Sequence, residues 1–184
     1  PDYSSYHVVN YHSATGAVLQ KKTAQGAADT SAWARGQAWG LYGYTMMYRF
    51  TKDQKYLDQA MHIADFILKH PNLPADGIPY WDFNAPGIPD TYRDVSAGAV
   101  ISSALLELGQ YTTGKSKDRF VSAARKMIVS LSSGQYRSKP GENGGFLLLH
   151  SVGALPLKSE IDVPLTYADY YFLEALARYK KWYL

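Results

Sequence analysis

Val95-Ser96-Ala97-Gly98-Ala99-Val100-Ile101-Ser102-Ser103-Ala104-Leu105-Leu106-Glu107-Leu108 is small or apolar on nearly every side. It opens a predicted helix from about Val95 to Tyr111, behind the cap candidate Asp94. The turn Thr113-Gly114-Lys115 follows, and then a second predicted helix from about Lys117 to Leu131. Phe120, Ala124, Met127, Ile128 and Leu131 recur there at helical spacing, opposite a polar face with Lys117, Asp118 and Arg119. A helix without a polar side must be buried all round, whereas a half-polar helix covers it from outside. Residues 95–131 therefore read as a hairpin of an inner and an outer helix.

The pattern occurs twice. A first inner helix is predicted from about Ser31 to Phe50, with Asp29, Thr30 and Ser31 as cap candidates. Its outer partner follows the turn Thr51-Lys52-Asp53 and runs from about Asp53 to Lys69, where Pro71 stops it. Tyr56 and Phe120 hold matching places, 64 positions apart. A fifth helix, from about Pro164 to Trp182, begins a third unit; proline suits a first helical turn. Such a period means stacked helical hairpins in an all-α fold.

The inner-to-outer turns are short and the outer-to-inner connections long: Pro71–Asp94, Ser132–Val163, and the comparable segment Pro1–Thr30. All lead into the N-terminus of an inner helix, so all lie at one end of the stack. Long connections in a compact domain usually carry function, and the helix dipoles make that end favourable to anions. His7-Val8-Val9-Asn10 and Val18-Leu19-Gln20 flank Ser13-Ala14-Thr15-Gly16 as a predicted strand hairpin. Gly145 to His150 reads as a strand or a buried loop.

Composition excludes several classes. The net charge of +3 is mild and scattered, which argues against nucleic acid. The absence of cysteine rules out disulfides, thiolate metal sites and a thiol nucleophile. No apolar run reaches the roughly 18 residues of a membrane span. The five histidines show no metal-ligand spacing, and no phosphate loop or nucleophile elbow occurs, so neither metal nor cofactor is expected. The sequence leaves cytoplasm and periplasm equally open. With 16 Tyr, 6 Phe and 4 Trp, the chain is rich in rings that suit both a helical interior and the faces of sugars.

The densest candidate cluster is Trp33-Ala34-Arg35-Gly36-Gln37-Ala38-Trp39, in the first turns of an inner helix. Arg35 there suits bidentate capture of a carboxylate, with Trp39 a turn away as a flat wall; equally, the tryptophans are core and Arg35 a buried structural ion pair. Asp82, among Tyr80, Trp81 and Phe83, is either an acid or, preferably, a loop anchor that accepts backbone N–H groups. Asp94 reads as a helix cap. His62 and His70 fall on an outer helix and read as solvated, whereas His7 and His150 lie in the long connections.

Several segments together resemble the unsaturated glucuronyl hydrolases, glycoside hydrolase family 88. They are His7-Val8-Val9, Lys22-Thr23-Ala24-Gln25-Gly26, the Trp33–Trp39 motif, Pro79-Tyr80-Trp81-Asp82-Phe83, Asp94-Val95-Ser96-Ala97 and Tyr170-Tyr171-Phe172-Leu173-Glu174-Ala175-Leu176, in the family's order. The resemblance implies an (α/α)6 toroid of six inner and six outer helices. Five helices make about half of it, so residues 1–184 are expected to be the C-terminal portion of one barrel domain, with the missing N-terminal half as its partner. It also implies that the two catalytic aspartates precede the His7 region, so that no catalytic acid lies in this chain.

The implied substrate is the unsaturated uronic acid that a polysaccharide lyase leaves at a non-reducing end. An aspartic acid protonates C4 of the vinyl ether, water adds at C5, and the hemiketal opens and releases the remaining sugar. The carboxylate-separation rule of ordinary glycosidases does not apply to this chemistry. Matching positions make Thr23, Trp33, Arg35 and Trp39 substrate-binding residues and His7 and Gln25 possible assistants, with His7 helping to place the water. His150-Ser151-Val152-Gly153 departs from the family, which often has an aromatic after the valine, and this leaves the sulfation preference open. The alternatives are an unsaturated rhamnogalacturonyl hydrolase of family 105, against which Gln37-Ala38 argues, and a non-catalytic helical fragment that binds acidic sugar.

Overall fold

A computed structural model describes residues 2–184. Its helices are α1 (Ala34–Thr51), α2 (Gln54–Lys69), α3 (Val95–Leu108), α4 (Gly114–Leu131) and α5 (Thr166–Tyr183). Two antiparallel hairpins sit in the long connections: β1 (Val8–Tyr11) with β2 (Val18–Lys22), and β3 (Ser151–Ala154) with β4 (Ser159–Val163). Helix α3 lies between α1 and α5, while α2 covers α1 and α4 covers α3 from outside. Inner and outer helices are those expected from their polarity, and the arrangement is half of a helical toroid.

All fourteen residues of α3 are buried. Gly98 permits this, because a Cβ there would stand 2.9 Å from Ile78 of the overlying loop. The amphipathic α2 and α4 bury one stripe each, Leu57, Ala60, Ile63, Ala64 and Ile67 in α2, and Phe120, Ala124, Met127, Ile128 and Leu131 in α4. Each large side chain of this kind contributes roughly 1.5–3 kcal/mol by leaving water.

The helix ends depart from expectation where a side chain found a better partner. Helix α1 starts at Ala34 rather than Ser31, behind Trp33 and without a side-chain cap. Asp29 instead accepts the N–H of Thr23 at 2.9 Å, and Ser31 donates its hydroxyl to Asp82 at 2.6 Å. Pro164 precedes α5, whose cap residue is Leu165. Helix α3 stops at Leu108, and the N–H groups of Gln110 and Tyr111 form tight turn bonds to Glu107 and Leu108. Asp94 does cap α3, accepting the N–H of Ser96 at 3.1 Å.

Candidate functional site

The site begins with how three connections are joined over the N-termini of the inner helices. Asp82, fully buried, accepts from Ala27 N–H at 2.9 Å, Ser31 Oγ at 2.6 Å and Asn84 N–H at 2.8 Å. It is thus the loop anchor. Backbone bonds from Ala34 N–H to Trp81 O and from Phe83 N–H to Ala32 O join the same two segments. Further along, Asp94 N–H bonds to Pro79 O and Val95 N–H to His150 O. The connections before α1, before α3 and before α5 therefore form one welded rim.

Arg35 stands at its centre and is 3% exposed. Its Nη1 meets Asp94 Oδ2 at 2.9 Å and also donates to the carbonyl of Val152; Nη2 donates to Gly153 O at 2.5 Å. Arg35 thus forms a buried ion pair with Asp94, and it also holds β3 in place. Its guanidinium lies 4.6 Å from the Trp33 ring centroid and 5.5 Å from that of Tyr167. Trp33 in turn folds over its own helix, because Gly36 offers no Cβ; one there would lie 2.8 Å from the ring.

Gln25 Nε2 donates to the same Gly153 carbonyl at 2.8 Å, which ties the connection before α1 to β3. Thr23 shapes the turn that carries Gln25: its hydroxyl accepts Gly26 N–H at 2.7 Å. The His7 ring stacks on Trp33, with centroids 4.4 Å apart, and its Nδ1 faces the turn from Thr23 to Gln25. Burial lowers the His7 pKa from 6.5, and the nearby Arg35 charge adds to the effect.

Thr23, Gln25, His7, Trp33 and Arg35 thus come together. Trp39 does not join them directly. It lies beside Tyr167 and Tyr171 of α5, at centroid distances of 6.3 and 5.1 Å. His62 is exposed and stacks on Tyr3 at 3.9 Å. His70 corrects the expectation of a solvated ring. It is half-buried against Phe66 and Phe83, and burial lowers its pKa.

Sequence reasoning missed three things. One is the second role of Asp94 as the partner of Arg35, 59 positions away. Another is the β3–β4 hairpin, which brings the Val152 and Gly153 carbonyls to Arg35. The third is a buried ionic network between the inner helices. There Arg178 meets Glu107 at 2.9 Å and Glu174 at 3.2 Å, and Glu174 accepts from Ser103 at 2.5 Å and Tyr42 at 3.1 Å. The available signal was Glu107 inside an otherwise apolar helix, together with Glu174 and Arg178 one turn apart. Among the described residues no cluster of three or more His, Cys, Asp or Glu could hold a metal ion. Among the described residues no helix is long and apolar enough to cross a membrane.

No protein-family model matches the chain. It is 51% identical over 178 residues to an unsaturated glucuronyl hydrolase of Formosa agariphila, across 97% of this chain and 44% of that protein. A crystal structure of an unsaturated glucuronyl hydrolase specific for heparin superposes with a TM-score of 0.95 at 55% identity, covering 98% of this chain and 48% of that one. A Streptococcus agalactiae unsaturated glucuronyl hydrolase complexed with dGlcA-GalNAc6S superposes at 0.84 with 35% identity, over 100% of this chain and 48% of that one. The chain spans about half the length of the curated relatives it matches.

Proposed function

We infer the function of this chain from its family: it belongs to the unsaturated glucuronyl hydrolases, of whose members it spans about half the length. The complete protein removes an unsaturated glucuronyl residue from the non-reducing end of oligosaccharides produced by polysaccharide lyases, and residues 1–184 are the C-terminal portion of its single barrel domain. A carboxylic acid outside these residues protonates C4, water adds at C5, and the resulting hemiketal opens to release the remaining sugar. The rim built here holds the uronate. Trp33 offers a ring face, Thr23 and Gln25 offer polar groups, and Arg35 offers positive charge from beneath. Trp39 lines the wall towards α5.

What carries this reading is the convergence of His7, Gln25, Trp33 and Arg35 where the long connections meet the N-termini of the inner helices. The open sides of α1 and α5 fit the remaining half of the barrel. The test compares the complete protein with the 184-residue chain on an unsaturated disaccharide, followed by the absorbance of its double bond. The complete protein should consume it, and the 184-residue chain should be inactive, because a general acid alone typically contributes 10²–10⁴-fold. An inactive complete protein would overturn the assignment. Turnover by the 184-residue chain would show that the acid lies within it.

A further inference from the structure

Three hydrogen-bond donors converge on Nδ1 of His7: Ala24 N–H at 3.1 Å, Gln25 N–H at 3.3 Å and the Thr23 hydroxyl at 3.3 Å. A backbone N–H can only donate, so Nδ1 must present a lone pair. The Thr23 oxygen already accepts Gly26 N–H at 2.7 Å, which leaves its own proton free to turn towards the ring. A neutral imidazole with a bare Nδ1 carries its proton on Nε2. Among the described residues none bonds to Nε2, and it is not among the buried unpartnered atoms, so solvent reaches it.

This arrangement is specific to its surroundings. In His150 the roles are reversed, because Nδ1 faces the Asp162 carboxylate at 2.6 Å and must donate. His12 also accepts two backbone N–H groups, those of Ala14 and Thr15, but in the exposed β1–β2 turn away from the rim. Only His7 combines a backbone-locked Nδ1 with a ring stacked on Trp33 in the candidate site.

We propose that His7 is a fixed, neutral N–H donor: Ala24 and Gln25 lock Nδ1 as an acceptor, so that the ring presents Nε2–H, and only Nε2–H, to an oxygen of an acidic sugar or of the attacking water. Its role as a ligand contact rests on the uronide reading of the site; its tautomer does not. His7 then positions by donating and abstracts no proton from water. A second ring proton would place Nδ1–H against two N–H groups. The surroundings oppose that charge further, through burial and through the Arg35 guanidinium packed on the same Trp33 ring.

Imidazole 15N resonances of the complete protein test this, with His7 assigned by its disappearance in His7→Gln. At about pH 8, Nδ1 should show the shift of an unprotonated nitrogen and Nε2 that of a protonated one, and the second proton should bind only below the usual 6.5. His150 should show a protonated Nδ1. A protonated His7 Nδ1, or an averaged mixture of tautomers, would overturn the proposal and leave the uronide reading intact. Adding an unsaturated uronic-acid disaccharide should then shift the His7 Nε2–H signal. Shifts at Trp33 without any at Nε2–H would remove the donor role. If no resonance of the complete protein moves, the uronide reading fails, and with it the donor role; only the tautomer survives. In the complete protein, His7→Leu should lose about ten- to a hundredfold in kcat/KM. His7→Gln, which keeps an N–H donor, should recover most of it.

Discussion

Helix α3 has inner neighbours on both sides and a cover on its outer face, whereas α1 and α5 each have an inner neighbour on one side only. The consequence is visible residue by residue. Helix α3 exposes nothing, while α1 leaves Tyr44, Met47 and Phe50 in the open and α5 leaves Tyr170, Leu173 and Leu176. A groove of about 460 Å³ runs along the open side of α1, lined by Trp39, Gly40, Gly43, Tyr44, Met46 and Met47. An inner helix of a toroid is therefore completed by its two neighbours, and its exposure measures how many of them are present. Contiguous apolar surface of this kind marks an interface.

The largest effect is expected at the top of α3. Asp94→Ala would strip the buried Arg35 of its charge partner and remove the cap of α3, which should cost about 3–5 kcal/mol. A fall in Tm of less than about 3 °C would show that Arg35 is hydrated instead. Arg35→Lys keeps the charge but not the fork that reaches Asp94 and the Val152 and Gly153 carbonyls. It should lower Tm first. If Tm holds and kcat/KM of the complete protein falls at least about tenfold, the ion pair matters less than contact with the uronate.

Next is the direct comparison between a saturated and an open helix. Leu105→Ala within α3 should cost about 2–5 kcal/mol, and Leu173→Ala on the open side of α5 should change stability by no more than about 0.5 kcal/mol. Equal losses in a denaturant titration of the 184-residue chain would abolish the distinction. The same pair measured in the complete protein sharpens it, because Leu173→Ala should become costly once the open side is covered.

A smaller effect follows on α1. Replacing Met47 and Phe50 by Ser should leave Tm within about 1 °C and reduce self-association of the 184-residue chain, measured by light scattering. Unchanged association would place the sticky surface elsewhere.

The smallest effect is on pH dependence. His7 and His70 both have pKa values lowered by burial from 6.5. The unfolded chain therefore binds protons before the folded one does, so stability is present above about 6.5 and declines as the pH falls below it. At the alkaline end, burial pushes Tyr42 and Tyr111 from 10.0 up to about 12, so stability declines as the pH rises past 10. Tm measured against pH checks both limbs. A flat acid limb would mean that His7 and His70 protonate as easily in the folded chain as in the unfolded one.

Much of the architecture was legible. The apolar run at Ala97–Leu108 and the stripe from Phe120 to Leu131 identified an inner and an outer helix, because polarity at helical spacing reports how many sides are covered. The hairpin of Ser151–Ala154 with Ser159–Val163 was not legible. Its second strand alternates Glu160 and Asp162 with Ile161 and Val163, but over only four residues, and it holds Glu160 and Asp162 at positive φ, like Lys158 just before it, a backbone that a strand pattern does not announce. His70 looked solvated because its outer helix is polar, yet the loop carrying Phe83 folds over it.

By itself, the sequence determined the five helices, their inner or outer place, and the end of the stack at which the long connections gather. These follow from local periodicity, which each segment carries within itself. Only the tertiary structure decided what Arg35 holds and which nitrogen of His7 carries the proton. Spacing says which face of a helix a side chain occupies. It cannot say that Asp94, Val152 and Gly153 arrive there from 59 and more positions away, nor that two N–H groups of another loop will close on one ring nitrogen. Those partners depend on where the chain returns in space.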